Sequence, residues 1–109
     1  MDIYITSKLN KHFSTPSNLK KKYGDRADKI LMIVSVLDSA PDLSHILSLR
    51  SLGLHRLTGN KKNHFGITIN RNYRLIIKPY KSDIPYDSHG NIEYSDITSI
   101  EILDIEDYH

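Results

Sequence analysis

A chain of 109 residues, 39% hydrophobic and 26% charged, suffices for one core packed between two layers but not for a separate regulatory domain, so residues 1–109 form a single domain with its site on that surface. With no cysteine, a disulfide framework and a thiolate metal centre are both excluded, and nothing argues for an oxidising compartment. The formal net charge of +2 is too small to indicate a partner by itself.

From the N-terminus, Met1 to Thr6 alternates apolar and polar residues around Ile3, Tyr4 and Ile5, which predicts a short strand. The segment lacks the basic and then long apolar order of a signal peptide, and no run approaches membrane-spanning length, so a cytoplasmic protein is expected. Ser7 opens a short helix through Leu9 and Phe13. Thr15-Pro16 then supplies a cap and a proline at the first helical position. Leu19, Tyr23, Ala27, Ile30, Val34 and Leu37 follow at helical spacing and form one apolar face. Gly24 interrupts this pattern and marks a kink or break. Asp42 or Ser44 starts a brief further helix over Leu43, Ile46, Leu47 and Leu49.

Beyond Gly53 the period changes. Leu54 to Leu57 and Phe65 to Ile69 alternate like strands, with a polar turn around Gly59-Asn60 between them. Arg71-Asn72 makes a tight turn into a strand from Tyr73 to Lys78, antiparallel to the one before. Lys81 to Ser95 reads as a long polar loop or an extended hairpin tip, and Ile97 to Ile105 as a final strand. A strand, helices and a meander of strands predict an α+β domain, with N-terminal helices packed on one face of a small antiparallel sheet.

The charges are unevenly distributed. Between Leu43 and Ser82 there are eight Lys or Arg and no acid, whereas Asp83 to His109 holds eight acids and no Lys or Arg. Paired strands would cancel this charge across neighbours; unpaired, the middle segment would build a surface for a polyanion. Composition leaves both open.

The six histidines lack the close pair spacing of a metal site, and neither a nucleophile elbow nor a phosphate-cradling glycine loop is present. Neither metal nor cofactor is expected. The chain does end on Asp107-Tyr108-His109 directly after a strand-like run. On a strand Asp107 and His109 would share a face, and together with the terminal carboxylate Asp107 would favour the imidazolium. By residue chemistry alone this ending is either a polar tail or a proton-transfer site.

Several segments taken together resemble a known family. Leu54-His55-Arg56-Leu57-Thr58-Gly59, Lys61-Lys62, Phe65 to Ile69, Asn72-Tyr73-Arg74-Leu75 and the closing Glu106-Asp107-Tyr108-His109 are similar in order and spacing to the HigB or killer-protein family, a branch of the RelE-like toxins. That family reads Leu-His-x-Leu-Lys-Gly, an aromatic before a strand, Asn-Trp-Arg-Ile and a final Glu-Asp-Tyr-His. The resemblance covers residues 54–78 and 102–109, and the helical half only by pattern.

The resemblance implies the RelE-like fold and a metal-independent, ribosome-dependent endoribonuclease that cuts translated messenger RNA. Its antitoxin would be a HigA-like helix-turn-helix protein, in a toxin–antitoxin hetero-oligomer such as a heterotetramer. It implies catalytic roles for His55, Arg74, Asp107, Tyr108 and His109. His109 is the principal proton-transfer group, His55 its partner, Asp107 its orienting acid, Tyr108 a stacking or hydroxyl group, and Arg74 the phosphate clamp. Arg56, Lys61, Lys62 and Arg71 are the RNA-binding candidates. Plainer structural roles are a cross-strand pair between Arg74 and an acid in Glu101 to Glu106, and a half-buried strand position for His55. Thr58 departs from the family lysine, so Arg56, Lys61 or Lys62 must supply that charge or the contact is lost. Two other functions are open: a non-catalytic toxin of the same superfold acting on DNA gyrase, and a plain RNA-binding module.

Overall fold

The computed structural model describes residues 1–107. Strand β1 (Asp2–Ile5) precedes four helices, α1 (Ser7–Phe13), α2 (Pro16–Tyr23), α3 (Ala27–Ser39) and α4 (Leu43–Ser48). Strands β2 (His55–Arg56), β3 (Phe65–Thr68), β4 (Tyr73–Pro79) and β5 (Ser99–Asp107) follow. This is the expected α+β order, and no helix among the described residues is long and apolar enough to cross a membrane.

The helix boundaries have local causes. Thr15 Oγ1 accepts the Asn18 N–H at 3.0 Å, with Pro16 in the first turn where no N–H is needed. The helical pattern from Leu19 to Leu37 is broken at Gly24, whose φ of +59° suits glycine, and passes through a tighter turn at Gly24–Arg26. The Arg26 guanidinium stacks 3.8 Å from the centre of the Tyr73 ring and ties this break to β4. The apolar stripe survives: Leu19, Tyr23, Ala27, Ile30 and Leu37 are buried. After the break Ile33 is buried in place of Val34, which is half-exposed. Asp42 caps α4, its Oδ1 accepting the Ser44 N–H at 2.9 Å.

The sheet order is β1-β5-β4-β3-β2. Strands β2 to β5 form the expected antiparallel meander, with His55 opposite Gly66, Gly66 opposite Ile76, and Arg74 opposite both Thr68 and Glu106. The sheet as a whole is mixed, because β1 lies parallel to β5, Asp2 opposite Ser99 and Ile5 opposite Ile102. A parallel pair needs a long crossover, and all the intervening helices and strands supply it. A register shift at Ile76/Ile77 bends the central β4–β5 pair.

One face of the sheet carries the core. Phe65, Ile67, Leu75, Ile77, Ile100 and Ile102 pack with the buried helix residues in one cluster. Side chains alternate along a strand, so Gly66, Thr68, Arg74 and Ile76 face the other way. Ile76 and Leu57 are buried there, outside the main cluster. Within the segment from Lys81 to Ser95 the chain turns back on itself as a small hairpin tip. Tyr86 bridges Ile92, and Asp87 Oδ1 accepts the N–H groups of His89 and Asn91 at 2.8 and 2.9 Å. These N–H donors, Asn91 foremost, hold the Asp87 carboxyl below its ordinary range.

Candidate active site

On the helix-free face, the β2 edge, the turn after it and β4 enclose a cleft of about 280 Å³. Its walls are His55, Arg56, Leu57, Thr58, Asn60, Lys61 and Arg74. Four residues singled out from the sequence, His55, Arg56, Lys61 and Arg74, therefore share one concavity although they span two strands and a turn.

His55 is exposed, and its ring is oriented from both sides. Nδ1 lies 2.8 Å from the Gly53 carbonyl oxygen. A carbonyl only accepts, so Nδ1 donates, and in the neutral ring Nε2 keeps its lone pair for a proton. The other contact is with Gly66, directly across the β2–β3 pair. A Cβ at Gly66 would stand 3.0 Å from His55 Cε1, 3.3 Å from Nε2 and 3.3 Å from Leu57 Cδ2. The ring thus lies over bare backbone, and the missing side chain gives it that place.

Arg74 lies two strands away and two residues along, which sets its backbone about 12 Å from that of His55. Side chains reaching inward from that separation can flank a phosphate and its neighbouring ribose. Arg74 is not isolated. Its Nε and Nη2 donate to Glu106 Oε1 at 2.9 and 2.5 Å, and Lys61 Nζ approaches Glu106 Oε2 at 2.5 Å. The bridged carboxylate is held below the usual carboxylate range, first by the Lys61 hydrogen bond and then by Arg74. On the same face Lys78 pairs with Glu101 at 3.8 Å. The basic middle segment and acidic last segment thus cancel in part across β4 and β5, as strand pairing predicts, while the cleft wall keeps cations of its own.

The remaining candidates are more scattered. Lys62 lines an adjoining cavity of about 420 Å³ with Arg56, Leu57, Thr58 and Gly59, and its carbonyl accepts Arg56 Nε at 3.1 Å. Arg71 is exposed on the β3–β4 turn and does not line the cleft. Asn70 shapes that turn, its Oδ1 accepting the N–H groups of Asn72 and Tyr73. Asp107 is exposed at the end of β5 opposite Tyr73. Alternation therefore puts it on the face opposite Arg74 and Glu106. Tyr108 and His109 lie outside the described residues.

Thr58 is in the cleft wall, and beside it the nearby Lys61 is aimed inward at Glu106. Two residues that sequence reasoning passed over matter here. Gly66 gave no signal, because its role depends on which residue lies across the strand pair. Glu106 had one, an acid opposite Arg74, but it was weighed only as a neutralising partner. Among the described residues no three His, Asp or Glu side chains form a group able to hold a metal ion.

The sequence matches no protein-family model and no curated protein. Its backbone does match solved structures. Over 97% of this chain and 91% of the other, it superposes on a histidine-to-glutamine mutant of YafQ from E. coli with a TM-score of 0.57 and 14% identity. The YoeB–YefM complex from Staphylococcus aureus matches over 100% of this chain and 97% of the other, with a TM-score of 0.54 and 16% identity. The YoeB/ParE toxin from Agrobacterium tumefaciens matches over the full length of both chains, with a TM-score of 0.54 and 12% identity. The chain has a RelE-like toxin fold. At these identities the likeness establishes the backbone arrangement, and the RelE-like fold places the cleft on the sheet face left open by its helices.

Proposed function

We propose that this chain is the toxin of a type II toxin–antitoxin system and acts as a HigB-type, ribosome-dependent endoribonuclease. The observation that carries the reading is the cleft in which an oriented histidine, His55, faces the cations Arg74 and Lys61. Cleavage of RNA without a cofactor uses the substrate's own 2′-hydroxyl. Its oxygen attacks the adjacent phosphorus, its proton goes to a base, and the departing 5′-oxygen takes a proton from an acid. His55 Nε2 and His109 share these two transfers, with Tyr108 stacking on a base or donating its hydroxyl; Asp107, on the face opposite Arg74, is given no part in the cleft. Arg74 and Lys61 bind the charge that builds on the phosphorane, and Arg56, Lys62 and Arg71 hold flanking phosphates. The products are a 2′,3′-cyclic phosphate and a 5′-hydroxyl.

The complex with YefM formed by one structural neighbour supports an antitoxin partner for this chain, here of the HigA-like helix-turn-helix kind, with both proteins in the cytoplasm. The test is cleavage of a reporter transcript by purified protein with and without translating ribosomes, wild type against His55→Ala and Arg74→Ala. Ribosome-dependent cuts that the substitutions lower by about 10²-fold or more are expected. Growth arrest with intact transcripts and a DNA-damage response would instead identify a non-catalytic toxin acting on gyrase. RNA binding without either effect would identify a plain binding module.

A further inference from the structure

Glu106 is a carboxylate placed between the two cations that the cleft offers to phosphate. Its side chain retains 18% exposure, close to the 21% of Arg74, while Lys61 reaches in from the solvent side at 38%. Oε1 faces Arg74 and Oε2 faces Lys61, one oxygen for each cation. The two non-bridging oxygens of a phosphodiester have the same charge and nearly the same spacing, and would meet the same donors.

We propose that Lys61 and Arg74 form a phosphodiester-binding subsite and that Glu106 fills it as an internal counter-anion, which an RNA phosphate must displace. The inference rests on the ribonuclease reading for the identity of its ligand, but the exchange is a property of the three side chains. Two physical consequences follow. Before RNA arrives, Glu106 holds two long cationic side chains at one point and offsets part of their charge, limiting their attraction for stray anions. When a phosphate enters, its binding is weakened by the cost of breaking two ion pairs. Only RNA held by further contacts, such as those made on a ribosome, has binding free energy to offset that cost. Lys61 also takes up the charge missing at Thr58, and it does so under the control of Glu106.

The experiment is direct binding of a fluorescent, fully 2′-O-methylated single-stranded RNA, which keeps every phosphate but lacks the attacking hydroxyl. Glu106→Gln removes the charge and keeps the shape. Glu101→Gln removes the same charge from the same face of β5, where it faces Lys78 instead. At low salt Glu106→Gln is expected to tighten binding about tenfold, and Glu101→Gln to change it by less than about twofold. Adding Lys61→Ala to Glu106→Gln should abolish the gain. Equal effects of the two glutamine variants, or weaker binding by Glu106→Gln, would overturn the proposal.

If Glu106→Gln does not fold, wild-type protein saturated with the same methylated RNA gives a second readout. The Arg74 Nε–H resonance should move on addition, and an unmoved resonance overturns the subsite. Because no step of these measurements needs cleavage, tighter binding without nuclease activity would sink the ribonuclease reading alone. Cleavage with no gain in affinity would sink the subsite alone.

Discussion

The proposed chemistry rests on two contacts that a substitution can disturb one at a time. Gly66→Ala puts a methyl group against the His55 ring and the Leu57 side chain, at 3.0 to 3.3 Å from their atoms. Because His55 is exposed, its ring is expected to swing away and leave the fold intact. Cleavage should fall by about tenfold or more while the far-ultraviolet circular dichroism stays unchanged. Retained activity would show that the placement over Gly66 is incidental. Glu106 gives a pH signature. Its carboxyl is held below its unfolded value by Lys61 and Arg74, so the stability it contributes is present above the unfolded carboxylate range and is lost as pH falls through the folded value. Acid unfolding of the wild type should therefore be steeper than that of Glu106→Gln, measured by denaturant titration at pH values through and below that range.

At the scale of elements, local sequence and long-range packing contribute differently. Thr15-Pro16, Asp42 and Gly24 made their structures legible in advance, because caps and positive φ angles are set by the residues themselves. Thr15→Ala should cost about 1 kcal/mol in a chemical melt through the lost Asn18 contact. Gly24→Ala meets no atom within 4 Å, so its penalty comes only from forcing an L-residue to φ +59°. That penalty is about 1–2 kcal/mol. An unchanged midpoint would mean that the α2–α3 break tolerates other backbone angles. By contrast, the parallel pairing of β1 with β5 and the choice of Ile33 over Val34 were not legible. Both depend on packing between segments far apart in the chain, and hydrophobic period carries no such information. In the Lys81–Ser95 segment a hairpin tip was legible but its place was not; the turn is set by the Asp87 side chain accepting the N–H groups of His89 and Asn91.

For the whole molecule, the fold follows from an apolar helix stripe laid on one face of a five-stranded sheet, leaving the other face to carry charge. His55, Arg56, Lys61 and Arg74 were legible as candidates, and the cleft brings these four together. Not legible was that Asp107, one residue beyond Glu106, is turned by strand alternation to the face opposite the cleft. The eight-acid and eight-base segments each supply partners across β4 and β5, so the net surface left for RNA is smaller than the composition suggests. RNA affinity should still fall with salt, but with a slope matching a few phosphates rather than eight. A log–log slope near that of eight contacts would mean that the β5 acids are displaced wholesale.

We propose that the cleft around His55 and Arg74 cuts messenger RNA with proton transfer completed by His109. This is tested most directly by mapping cuts in one translated transcript, comparing wild type, Arg74→Ala and a chain lacking His109. The wild type should give ribosome-dependent cuts ending in 2′,3′-cyclic phosphate, and neither variant should give any at equal folded concentration. Unchanged cleavage by the chain lacking His109 would contradict it.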